Sequence, residues 1–316
     1  MIVVVALNPA LDITHEVPGV DWDRVNRPES VHVRPGGKGV NVARMLAGLG
    51  AEVTLLGLVG GRTGEELTQL LAGTGVTAAF SVISGETRRT FTVVDTARGE
   101  ATLFSEPGPR VGKGEYPVFF AAYEKAVAGS AVVVLSGSLP RDVPDRAYAE
   151  LVAAARAAGV PAILDTSGAA LALGAAAGPA VVKPNLAELG AVTGRDLGAA
   201  TPGELGEAAR QLGETVVVSL GADGLLAVTP DGSWLARPGE RVTGNPTGAG
   251  DAVVAGLADG LARGLGWPER LRHAVALGAA AVAAPAAGEF DELVYRRQLA
   301  LASDPVAVGP HAAGGR

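Results

Sequence analysis

The hydrophobic positions of this chain fall into short continuous runs separated by stretches with helical spacing. Ile2 to Leu7, Val53 to Val59, Ala131 to Leu135, Ala162 to Leu164, Val181 with Val182, and Thr215 to Leu220 are runs of the buried-strand type. Between Val53 and Leu220 they alternate with amphipathic segments, as in Thr63 to Ala72, Pro144 to Ala158 and Asn185 to Val192. A strand that is apolar on both faces needs cover on both faces. The alternation therefore predicts βαβ units and an α/β fold, with a mostly parallel sheet flanked by helices. From Gly248 the spacing predicts helices over Gly248 to Arg263, Glu269 to Ala284 and Asp291 to Ala302. Just before them, Leu225 to Val228 and Trp234 to Ala236 read as a hairpin turning at Asp231-Gly232.

Two stretches break this rhythm. Asp12 to Val33 has extended character, and Arg89 to Phe104 reads as two strands joined by a turn at Ala97 to Gly99. Together they predict a small antiparallel layer set between the βαβ units. Such a layer can close as a lid that keeps water from a reaction, or it can be an ordinary edge hairpin. The chain, 1–316, is expected to form one domain, with lid segments at about 11–34 and 87–106 and a flexible Gly/Pro/Ala-rich tail over 304–316.

Composition narrows the classes. None of the apolar runs approaches the roughly 20 residues that span a bilayer, and no basic stretch or cleavage site precedes the first strand, so neither a membrane span nor a signal peptide is expected. There is no cysteine, which removes disulfides, thiolate metal sites and a Cys nucleophile, and fits a cytoplasmic enzyme. The net charge is −7 and no basic stripe occurs, so a nucleic-acid partner is not expected. An anionic substrate would need a local cluster of cations. The histidines at 15, 32, 273 and 311 are scattered and read as structural.

Chemistry concentrates in glycine loops that open helices. In Gly244-Asn-Pro-Thr-Gly248-Ala-Gly-Asp251, small residues run straight into a long helix. The first amides of a helix lack internal partners and carry the positive end of its dipole, which suits charge developing on a transferred phosphoryl group. Asp251 in that first turn can accept the proton of an attacking hydroxyl. An acid there also stabilises the helix dipole without any catalysis. Pro35-Gly-Gly-Lys38-Gly-Val-Asn41 is a second such loop, without Walker A spacing. Its Lys38 and Asn41 can hold sugar oxygens or a phosphate, or the loop can be a tight turn with an exposed lysine. In Lys183-Pro-Asn185-Leu-Ala-Glu188, Asn185 and Glu188 have capping-box spacing, and Glu188 can alternatively hold Mg²⁺ through water. Ser219-Leu-Gly221-Ala-Asp-Gly224 follows a strand, where open α/β sheets bind ligands and where plain turns also occur.

Taken in order, Asn8-Pro-Ala-Leu-Asp12, the Pro35 to Arg44 loop, Ser136-Gly-Ser138-Leu-Pro140, Lys183-Pro-Asn185, Ser219-Leu-Gly221 and Gly248-Ala-Gly-Asp251 resemble the ribokinase-like superfamily of carbohydrate kinases, the phosphofructokinase-B family. Within it they look like the branch of 1-phosphofructokinase and tagatose-6-phosphate kinase. The resemblance implies a ribokinase-like α/β fold with a small β-sheet lid, ATP with Mg²⁺, and a sugar phosphate as acceptor, fructose 1-phosphate before tagatose 6-phosphate. It implies Asp251 as base and Gly248, Ala249 and Gly250 as anion hole. It implies Asp12, Gly37, Lys38, Asn41, Arg88 and Ser138 as substrate ligands, with Arg88 for the substrate's phosphate. Lys183, Asn185, Ser219, Gly221 and Gly224 would serve the nucleotide, and a homodimer joined through the lids is implied by analogy. Two segments depart from the pattern. Asn245-Pro-Thr247 looks closer to tagatose-6-phosphate kinase, and Ala283 to Gly288 lacks the polar residue expected near an adenine.

Other classes fit less well. A dinucleotide oxidoreductase would need Gly-x-Gly-x-x-Gly after the first strand, where Asn8-Pro9-Ala10 stands instead. A silent binding protein would have no need of Asp251 together with an intact glycine loop.

Overall fold

The computed structural model describes residues 1–308. In chain order the elements are β1 (Ile2–Ala6), β2 (Ala10–Val17), β3 (Ser30–Gly36), α1 (Lys38–Gly48), β4 (Val53–Val59), α2 (Gly61–Leu71), β5 (Val76–Val82), β6 (Arg88–Asp95), β7 (Glu100–Ser105), α3 (Glu115–Val127), β8 (Val132–Ser136) and α4 (Ala147–Ala157). They continue with β9 (Ala162–Asp165), α5 (Gly168–Ala176), β10 (Val181–Val182), α6 (Leu186–Thr193), α7 (Pro202–Leu212), β11 (Val216–Ser219), β12 (Leu225–Thr229), β13 (Gly232–Ala236), α8 (Ala249–Ala262), α9 (Trp267–Ala283), α10 (Glu292–Leu301) and β14 (Val306–Ala307).

Ten strands form one sheet in the order β14-β13-β12-β11-β10-β9-β8-β1-β4-β5. From β5 through β11 every neighbouring pair is parallel, and β12, β13 and β14 add an antiparallel edge. Alternate residues of a strand face opposite ways, and β1 illustrates this. Val3 and Val5 pack into one core with α3, α4 and α7, while Ile2, Val4 and Ala6 pack into the other with α1, α8 and α9. The two cores are the reason the strands carry no polar alternation.

The rhythm-breaking stretches form a separate sheet, β3-β2-β6-β7. Its pairs are antiparallel except β2 with β6, which run parallel. The chain leaves β1, builds half of this sheet, returns as α1, and lays β4 on one side of β1. The other side of β1 receives β8. The strand order thus reverses at β1, and the crevice beyond its carboxyl end is where sheets of this kind bind ligands.

The tail differs from expectation. Val306–Ala307 pair with Leu235 and Trp234 as a short antiparallel edge, so this part of the 304–316 segment is held by ladder hydrogen bonds. Positions 309–316, with His311, lie outside the described residues. No helix of the described residues is long and apolar enough to cross a membrane.

Candidate active site

Because β8, β9, β10 and β11 are parallel, their carboxyl ends lie along one edge of the sheet. The residues at those ends are Ser136, Asp165, Lys183 and Ser219. Asp165 is fully buried, and its Oδ1 lies 3.1 Å from Lys183 Nζ and 3.5 Å from Lys38 Nζ. The Ser136 hydroxyl donates to its Oδ2 at 3.2 Å. Burial alone would push the Asp165 carboxyl up, but the two ammonium groups outweigh it and hold the group below its ordinary range. The sequence reading did not single out Asp165, although a charged residue closing a wholly apolar strand was a visible signal.

Two helix N-termini converge on this edge. α8 begins after Gly248, whose φ of +87° is the left-handed region that glycine tolerates. The Ala249 amide donates to Pro246 O at 3.1 Å, whereas the Gly250 and Asp251 amides make no hydrogen bond to the described residues. Those two amides are free donors at the start of α8. A Cβ on Gly248 would lie 3.1 Å from Ala287 Cβ, so Ala287 and Gly288 buttress the loop rather than offering polar contacts to a base. α1 begins after Gly37, also left-handed at +91°, and a Cβ on Gly39 would stand 2.7 Å from Ala6 Cβ. That close approach brings α1 down onto β1.

The helices meet where Asn41 Nδ2 of α1 donates to Asp251 Oδ2 of α8 at 2.9 Å. Asp251 is buried. Its pKa is pushed up to about 7, chiefly by burial and then by the Asp165 charge, against the Asn41 hydrogen bond and the charges of Lys38 and Lys183. A carboxylate poised near neutrality is what a general base requires.

On the other side of the crevice, a cavity of about 210 Å³ is lined by Asn8, Gly37, Lys38, Arg88 and Ser138, among others. Arg88 Nη1 donates to Ser105 Oγ at 2.6 Å and Nε to Asn8 O at 3.2 Å, which leaves Nη2 without a partner among the described residues. The Asn8 amide in turn donates to Ser138 Oγ at 3.0 Å. Asp12 lies near Arg88 and Arg44. Burial raises its pKa to about 6, against Thr90, the two arginines and the Gly37 amide. A Cβ on Gly36 would stand 1.8 Å from Asp12 Oδ2, which explains the first glycine of the pair.

Asn185 and Glu188 form the full capping box of α6, with bonds of 2.8 and 2.9 Å. Glu188 keeps Oε1 free for Lys38 Nζ at 3.6 Å, so capping and site electrostatics share one carboxylate. Ser219 pairs with Asn185 across a bridge between strand ends. Gly221 is exposed, and Gly224 is fixed by packing, since a Cβ there would lie 2.0 Å from Ala236 O. Asn245 accepts from the Thr247 amide at 3.0 Å, an Asx turn that shapes the approach to α8.

A parallel α/β sheet whose switch-point crevice joins a free-amide helix start, a buried carboxylate near neutrality and a cationic cavity defines a class of phosphoryl-transfer enzyme. Residues 3–292 match the pfkB family carbohydrate kinase, and the chain belongs to that family. It is 41% identical over 285 residues to a 1-phosphofructokinase of Rhodobacter capsulatus, covering 88% of this chain and 90% of that protein. A 1-phosphofructokinase of Xanthomonas campestris is 38% identical over 266 residues, covering 82% and 83%. The structure of Escherichia coli phosphofructokinase-2 in complex with fructose-6-phosphate superposes with a TM-score of 0.87 at 32% identity, covering 95% of this chain and 98% of that one.

Proposed function

We propose that this chain transfers the γ-phosphoryl group of ATP to the C6 hydroxyl of fructose 1-phosphate, giving fructose 1,6-bisphosphate. The observation that carries this reading is Arg88, which lines the cavity with an uncommitted amino group. A neutral sugar would not need a cation there. A phosphate already on the substrate would.

In this reading Asp251 takes the proton of the attacking hydroxyl. The hydroxyl oxygen bonds to the γ-phosphorus as the bond to the β,γ-bridging oxygen breaks, and ADP leaves with that oxygen. The Gly250 and Asp251 amides stabilise the charge on the transferring group. Asp12, Asn41 and Ser138 orient the sugar, and Lys183, Asn185, Ser219, Gly221 and Gly224 flank the nucleotide. Magnesium, when bound, would neutralise phosphate charge, held by Glu188 through water and by Asp165. The donor set fits that role. It offers two hard carboxylates at the strand ends, the oxygen ligands that magnesium takes alongside waters and phosphates.

Tagatose 6-phosphate is the second reading, because Asn245-Pro-Thr247 resembles the kinases of that sugar. Steady-state kcat/KM for fructose 1-phosphate, tagatose 6-phosphate and fructose 6-phosphate, from ADP release, tests the assignment. We expect fructose 1-phosphate to lead. A clear preference for another ester reassigns the acceptor, and failure on all three removes the reading.

Exposed apolar side chains on the lid support a homodimer. Trp22 and Val25, between β2 and β3, are 75% and 79% exposed, and Phe104 of β7 lines the same lid groove as Trp22. Apolar surface of this kind marks an interaction site. Light scattering of the wild type and Trp22→Asp tests it; a monomeric wild type would refute it.

A further inference from the structure

Lys38 stands in the glycine loop as a candidate ligand for sugar oxygens or a phosphate, and its head group is drawn to carboxylates at the strand ends. Nζ lies 3.5 Å from Asp165 Oδ1 and 3.6 Å from Glu188 Oε1, the two carboxylates assigned to the nucleotide side. Arg88, not Lys38, occupies the lid side of the cavity with Ser105. On α1, Lys38 and Asn41 are three residues apart and share a face. Asn41 holds Asp251, and the Lys38 charge acts on the same carboxyl. The ammonium therefore lies against Asp165 and Glu188 and close enough to Asp251 for the two charges to act on each other, between the sides proposed above for donor and acceptor.

Its partners hold it loosely. Charge-assisted bonds close to about 2.7–2.9 Å, and both contacts of Lys38 are longer. Its side chain is 41% exposed and lines the cavity, whereas Lys183 is 4% exposed and lies 3.1 Å from Asp165. Lys183 is fixed; Lys38, on a flexible four-carbon stem, can exchange a carboxylate for a phosphate oxygen. Burial works against its charge, but Asp165, Glu188 and Asp251 outweigh it and keep the ammonium charged.

We infer that Lys38 is a catalytic residue whose ammonium contacts the phosphoryl group in transit, rather than a ligand of the phosphate the substrate brings. In a loose transition state the charge spreads over the equatorial oxygens of the moving group, midway between donor and acceptor. A cation placed there binds more tightly at that point than before or after, so it raises kcat more than it lowers KM. The inference rests on the kinase reading above.

The test begins with the wild type on the three sugar phosphates. Failure there sinks the kinase reading itself, before any variant is made. Lys38→Met and Lys38→Arg are then compared with Arg88→Ala. Expected for Lys38→Met is a loss of about 10²–10³ in kcat, as for one lost oxyanion donor, with KM for fructose 1-phosphate and ATP changed less than about threefold; Lys38→Arg recovers part of the rate. Arg88→Ala shows the opposite split. A second readout is calorimetric binding of ADP, aluminium fluoride and fructose 1-phosphate together. Lys38→Met should weaken that complex more than tenfold and leave ADP binding unchanged. A tenfold or larger rise in KM with kcat retained would return Lys38 to the substrate's phosphate. Unchanged kcat and analogue binding would reduce it to charge compensation for Asp165 and Glu188. Lys38→Gln, checked by circular dichroism, replaces Lys38→Met if that variant does not fold.

Discussion

Asp251 gives the sharpest test of the chemistry, because its environment sets where on the pH axis the enzyme should fail. Its pKa is pushed up to about 7 by burial and by the Asp165 charge. A base works only when deprotonated, so activity is lost as pH falls through that value. A single ionisation near 7 leaves about half the sites competent at pH 7 and roughly one-tenth at pH 6. The measurement is kcat/KM by coupled ADP release from pH 5.5 to 9, with both substrates below KM so that the free enzyme's ionisation is read. The second ionisation of a phosphate ester lies near 6, about one unit lower, so the position of the limb separates enzyme from substrate. Asp251→Asn keeps the shape and can still accept from Asn41, yet it cannot take a proton. We expect kcat to fall by about 10²–10⁴ with ATP affinity unchanged. A rate that stays level down to pH 6, or a variant near wild-type turnover, would refute the role.

The same residue should cost stability. Between its unfolded value of 3.8 and about 7 the native carboxyl holds a proton that the unfolded chain has released, so stability falls as pH rises through that window. The full difference is about 4 kcal/mol at most. Asp251→Asn should therefore raise Tm more at pH 8 than at pH 4.5, and an equal shift at both would show that ionisation is not the cause. For Arg88→Ala, a lost charge-assisted contact of about 1.5–3 kcal/mol predicts a tenfold or larger rise in KM for fructose 1-phosphate. Weak activity on unphosphorylated fructose should barely change, and equal losses on both would make Arg88 structural.

The site was legible in the sequence where chemistry and chain adjacency coincide. Gly248 to Asp251 are consecutive, and so are Gly36 to Asn41, so each loop shows its helix start and its functional side chain in one glance. Asp165 showed only as a charge closing an apolar strand, with nothing to say what it would meet. Its partners Lys38 and Lys183 are brought to it by the strand order β8-β9-β10 and by the return of α1 over β1, and neither arrangement is written in any local window. The pairing of Lys38 with Asp165 and Glu188 was hidden for the same reason. Among the elements, α7 lies outside the helices expected from spacing, although Thr201-Pro202 with Glu204 marks its start, which the structure realises as a full capping box. By contrast β14 is two residues long and exists only because β13 offers it an edge. A strand of that size has no pattern of its own.

Asp165 also explains how an acidic chain handles two anionic reactants. The protein's net charge is −7, yet the crevice gathers Lys38, Lys183, Arg88 and the free amides of α8. Unpaired, these groups would repel one another and resist burial. One buried carboxylate, ringed by two ammonium groups and a hydroxyl, lets the lysines stand at the strand ends before any phosphate arrives. The same negative charge pushes the Asp251 carboxyl upward. In the reading proposed above, incoming phosphates would draw Lys38 toward themselves, while Asp165 would keep Lys183 and help to hold the metal. Organising the cations and raising the Asp251 carboxyl are thus one electrostatic act. An Asp165→Asn variant disturbs both, so its loss of rate cannot by itself be assigned to metal binding.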